Sequence, residues 1–160
     1  MTGLERWHDF FVAEVGVAGA LTGLLFVAMS INVGRIISFA WLPPRAAQTL
    51  IVMLNVVIIS SLALVPDQTN AVRAIEFLIV NLLVLGIGLV LVTRFPTPEQ
   101  YKVGERLNML LFLLTISMFI VGSIVLFVAL SGFYWIVAGI MLSFVFALFN
   151  SWILLVEIIR

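Results

Sequence analysis

The residues able to do chemistry in this chain are few, and they stand near the ends of long apolar runs. His8 and Asp9 are adjacent, Glu14 follows, and Arg73 and Glu76 lie three apart. That spacing lets Arg73 and Glu76 pair on one helix face. Together the five could gather at one mouth of a bundle, where carboxylates attract cations. Interfacial charges with snorkelling stems would give the same pattern. Deeper in the runs only amides and hydroxyls occur. Each run carries one Asn: Asn32, Asn55, Asn81, Asn108 and Asn150. Asn55 sits near the middle of its run, where an unpaired amide costs several kcal/mol in hydrocarbon. It must face protein or water. Either it makes an interhelical amide bond or it coordinates a solute. Glu14, Asn32, Asn55, Glu76, Asn81 and Asn150 are therefore the candidate pore or polar-contact residues.

Catalytic patterns are missing. The chain has no HExxH, no GxSxG and no Walker loop. It has no cysteine and one histidine, which excludes thiolate chemistry and bis-histidine haem ligation. Gly86-x-Gly88 lies inside an apolar run and reads as a packing feature. The expectation is a protein that is not an enzyme, with no cofactor and no bound metal.

The elements that must position these groups follow from composition. Of 160 residues, 64% are apolar and 10% charged, against about 45–50% and about 25% in soluble domains. Mean hydropathy is +1.29. A span needs about 20 apolar residues, and five runs qualify: about 10–37, 46–65, 71–93, 107–130 and 133–159. Lipid offers no partner for exposed backbone, so the runs must be helices. The predicted fold is an all-α integral membrane bundle of five transmembrane helices, a single domain with no soluble part. The stretch after Val15 is too long for a signal-peptide core, so the first run reads as a retained span.

The connections carry turn chemistry. Pro43-Pro44 separates the first two runs. Thr69 or Asn70 can cap the third. Thr97-Pro98-Glu99-Gln100 is a capping-box pattern that starts the fourth helix near Pro98, ahead of its apolar part. Ser131-Gly132 joins the last two as an antiparallel hairpin. With five spans, Arg6 and Arg73 fall on one side. Arg35, Arg45, Arg94, Lys102, Arg106 and Arg160 fall on the other, as solvated loop charges. The basic side is cytoplasmic, so the N-terminus is expected outside and the C-terminus in the cytoplasm. No polybasic cluster exists, and nucleic-acid binding is not expected.

At 100° per residue, Gly16, Ala20, Gly23, Val27, Ser30 and Gly34 line one face of the first run, and Gly19 with Gly23 makes a GxxxG pair. Small residues let backbones approach closely in lipid. The expectation is packing inside the bundle, with a subunit interface as the alternative. In the last run Ser143 and Asn150 could hydrogen-bond across to the first or second helix.

The stretch HDFFVAEVGVAGALTGLLFVAMSIN from His8 to Asn32, followed by LPPRAAQTL at Leu42–Leu50, resembles a group of small bacterial multi-span proteins, some labelled modulators of the FtsH membrane protease. The resemblance covers the first third of the chain. It implies the bacterial inner membrane and transfers no site residue. The function expected is a scaffold or regulatory subunit acting by helix–helix contact, as a homo-oligomer or within a larger membrane complex. The alternative is a homo-oligomeric channel for a small solute or ion.

Overall fold

The computed structural model describes residues 5–94, 99 and 102–159, with side chains for 7–94, 99 and 102–154. Six helices follow in order: α1 (Glu5–Ile31), α2 (Val33–Ile37), α3 (Leu42–Ala63), α4 (Asn70–Arg94), α5 (Lys102–Leu126) and α6 (Gly132–Ile159). Among the described residues there is no strand. All but the short α2 are long and apolar enough to cross a bilayer.

The first run is broken where the sequence suggested continuity. Asn32 donates from Nδ2 to the Ala28 carbonyl at 2.8 Å. An amide that bonds back into the preceding turn competes with the backbone ladder, and α1 ends at Ile31. α3 begins at Leu42, four residues ahead of its apolar run, with Pro43 and Pro44 in its first turn. Proline suits that position because the first-turn N–H groups have no acceptor anyway. Thr69 caps α4, its Oγ1 accepting from the Val72 N–H at 3.3 Å. The Thr97-Pro98 start of the fourth span lies outside the described residues. The helix is described from Lys102, still ahead of the apolar part.

The hairpin between the last two spans is also longer than two residues. α5 stops at Leu126, and residues 127–131 form the turn before Gly132 opens α6. The reason is a close crossing. A Cβ on Gly132 would lie 2.6 Å from the Gly122 carbonyl oxygen and from the Leu126 nitrogen. The two helices can meet there only over glycine, and the chain needs the extra residues to turn back.

α3 is the centre of the bundle. It packs against α1, α4 and α6, while α5 packs on α4 and α6. Half of the apolar stretch of α3 is buried (50%), against 11% for α1. Fully buried Phe112, Ile116, Phe119, Ile136, Ile140 and Phe146 fill the space around α5 and α6. Gly88 on α4 accommodates the Phe112 ring, whereas Gly86, two residues earlier, faces no other group within 4 Å.

Candidate functional site

α3 sends one polar residue toward each of three neighbouring helices. Arg45 Nε donates to Asn150 Oδ1 on α6 at 2.7 Å. Gln48 Oε1 accepts from Asn108 Nδ2 on α5 at 2.7 Å. Asn55 Nδ2 donates to Asn81 Oδ1 on α4 at 3.0 Å, and Asn81 Nδ2 donates on to the Phe77 carbonyl at 2.7 Å. The residues stand at 45, 48 and 55, so the ladder covers about 15 Å of helix. Asn55, Asn81, Asn108 and Asn150 are all at 0% exposure. Asn55, for which the sequence allowed an interhelical amide bond or a solute contact, is bonded to Asn81 on the next helix, and Asn150 bonds across to α3. Interhelical hydrogen bonds of this type average about 0.6 kcal/mol in measured membrane proteins. They fix which helix sits beside which; packing supplies most of the stability.

Arg45 corrects one expectation. The sequence suggests a solvated loop charge, but the residue is 4% exposed. Besides Asn150, its Nη1 lies 3.9 Å from Glu105 Oε2. Its position in the first turn of α3, three residues before Gln48, puts it on the inward face. Ser143 is a second correction. Its Oγ donates to the Gly139 carbonyl of its own helix at 2.8 Å and reaches no neighbour. Asn32, through its bond to Ala28, is likewise occupied locally.

The face of α1 is reversed from the favoured expectation. Gly16, Gly19, Ala20, Gly23, Ser30 and Gly34 are all exposed. A Cβ on any of the four glycines would meet nothing within 4 Å. Packing inside the bundle does not use this face. The opposite side turns inward instead, burying Phe11 and Ala18, and Glu14 shares that side. In lipid the two faces differ little in hydrophobic drive, and the inward one is that whose side chains, Phe11 and Ala18, join the packed cluster with Met53 and Val56. The small-residue face is left pointing away from the bundle.

At the Arg73 end lies a cavity of about 560 Å³. The expected cluster assembles only in part. His8, Asp9 and Arg73 line the cavity, joined by Asp67 and Gln68, while Glu14 and Glu76 do not. Arg73 and Glu76 form no ion pair. Gln68 Nε2 reaches both Glu76 oxygens first, at 3.0 and 3.1 Å. Glu14 is half-buried, and its Oε2 has no hydrogen-bond partner. Among the described residues no group of three or more His, Asp or Glu could hold a metal ion.

The five apolar helices and the buried amide ladder define a multi-pass α-helical membrane protein. Compared with protein-family patterns, with curated proteins and with solved structures, the chain matches none.

Proposed function

We propose that the chain is a non-enzymatic membrane subunit, scaffolding or regulatory, that works by helix–helix contact through the outer face of α1. The carrying observation is that Gly16, Gly19 and Gly23 on α1 and Gly34 on the adjoining α2 are exposed, and that an added Cβ at any of them would meet nothing within 4 Å. In lipid, small residues on an open face permit close backbone approach by another helix, and van der Waals contact drives the association. The occupant we assign is the same face of a second copy. Residues 15–34 contain no charged side chain, so two copies meet without like charges. A two-fold axis places a patch against itself, and a repeated small-residue ridge suits that. The conduit alternative draws no support from Asn55 and Asn81, whose amides are bonded to each other.

The same reading takes the membrane to be the bacterial inner membrane, as the resemblance implies, and the N-terminus to be outside, on the basic-residue imbalance. A tag after Arg160 should be cut by protease only once the cytoplasmic side is opened; cleavage on intact spheroplasts would reverse the orientation.

Gly23→Leu tests the proposed face. Gly23 is exposed and an added Cβ there meets nothing within 4 Å, so the variant's helical content in detergent should match the parent's. Light scattering should report a dimer or larger assembly for the parent and a monomer for the variant. An unchanged assembly would remove α1 as the contact.

A further inference from the structure

The cavity at the Arg73 end contains a feature that the helix-contact reading does not use. Arg73 is 3% exposed, yet its Nε and Nη1 have no hydrogen-bond partner. Its Nη2 reaches only the Val65 carbonyl, at 3.5 Å. Glu76, one turn on, takes its hydrogen bonds from Gln68 and attracts Arg73 only through space, with no hydrogen bond between them. A buried cation with open donors is expensive, and buried polar groups in folded proteins are almost always satisfied. This one lines a cavity of about 560 Å³, within the usual range for small-molecule sites.

The rest of the cavity narrows the ligand. Trp7, Phe11 and Phe133 form an aromatic wall, with Phe133 ring centroids 5.5 Å from Trp7 and 5.3 Å from Phe11. Asp67, in the turn before α4, and Asp9 add two exposed carboxylates. A bare dianion would be repelled by them. A ligand that carries a positive group beside its anion would be attracted at both ends, and Trp7 lines the same cavity. All these residues sit at span ends: the starts of α1, α4 and α6 and the end of α3. In a bilayer crossed by these spans that end would lie near the lipid phosphates, and a guanidinium is well suited to phosphate.

We propose that this cavity binds an amino-phosphate zwitterion, its phosphate on the buried Arg73 guanidinium and its ammonium toward Asp67 and Asp9 beside Trp7. The same chemistry is presented by an aminophospholipid headgroup and by a water-soluble amino-phosphate.

Calorimetric titration of the full chain in an uncharged maltoside detergent tests this. The probes are O-phosphoethanolamine, inorganic phosphate, ethanolamine and dihexanoyl phosphatidylethanolamine. O-phosphoethanolamine should saturate and bind at least tenfold more tightly than phosphate or ethanolamine. Tighter binding of the short-chain lipid than of O-phosphoethanolamine assigns the site to a lipid headgroup; weaker binding assigns it to a soluble ligand. Arg73→Met should abolish binding. Its ligand-free melting temperature should stay near the parent's, so that lost binding is not lost fold. Asp67→Asn should bring O-phosphoethanolamine within about threefold of phosphate. If the Met variant fails to fold, Arg73→Lys takes its place, with at least a tenfold loss expected. The proposal is overturned if neither zwitterion saturates, if phosphate binds as tightly as O-phosphoethanolamine, or if the Arg73 variant binds within twofold of the parent.

Discussion

Gly132→Ala should destabilise the bundle by at least about 3 kcal/mol, the upper end of what overpacking costs. The added Cβ would lie 2.6 Å from the Gly122 carbonyl oxygen, 2.6 Å from the Leu126 nitrogen and 2.9 Å from the Leu126 Cα. All three are backbone atoms, so no rotamer change relieves the contact. The α5–α6 crossing must open, and with it the packing of Leu126, Phe133 and Ile136, all fully buried. Alanine has an intrinsic helix advantage of about 1 kcal/mol over glycine. Here the clash wins. Gly86→Ala is the control. Gly86 is interior to α4, where that advantage applies in full, and its added Cβ meets nothing within 4 Å, so the variant should be neutral or slightly stabilising. Unfolding of the detergent-solubilised variants by SDS titration reads both. Equal effects at the two positions would mean that the crossing is not as close as described.

Asn81→Leu should have the second-largest effect, about 2–3 kcal/mol, the cost of leaving a buried donor without an acceptor. Asn55 Nδ2 has Asn81 Oδ1 as its partner at 3.0 Å, and Asn55 Oδ1 already has none. Leucine has nearly the shape of asparagine, so the loss would come from the stranded amide rather than from a cavity. The double variant Asn55→Leu with Asn81→Leu should therefore recover most of the lost stability. Removing both partners of a buried hydrogen bond is close to neutral when shape is kept. The same SDS titration, run as a double-mutant cycle, measures the coupling. A single variant within about 0.5 kcal/mol of the parent would indicate that water reaches Asn55, and the interior would then be wet.

The number of spans and the need to hide the amides were legible because both follow from solvation. A chain this apolar has to cross lipid, and an amide at mid-depth has to find a partner. Which partner was not legible. Nothing in the spacing of Asn55 says that it meets Asn81 on the next helix rather than Asn108. The rotation of α1 departs from the sequence expectation for a physical reason. Its sequence is apolar on nearly every side, so the face that packs is decided by what α3 offers, and Phe11 and Ala18 win that contact over the glycines. Arg73 and Glu76 had the right spacing to pair, but Gln68, from the preceding turn, takes the carboxylate. The helical period could not reveal a competitor outside the helix. Arg45 was read with the loop because two prolines precede it. Those prolines in fact occupy the first turn of α3, and the arginine is drawn inward to Asn150.

Cross-linking through α1 tests the central claim most directly. The chain has no cysteine, so a single introduced thiol reports on one position. Gly23→Cys lies on the open small-residue face. Leu83→Cys, on α4, is a control that is also exposed, at 61%. Oxidation in native membranes should join Gly23→Cys chains into a covalent dimer while Leu83→Cys remains monomeric. A dimer of equal yield from both, or none from Gly23→Cys, would contradict the account.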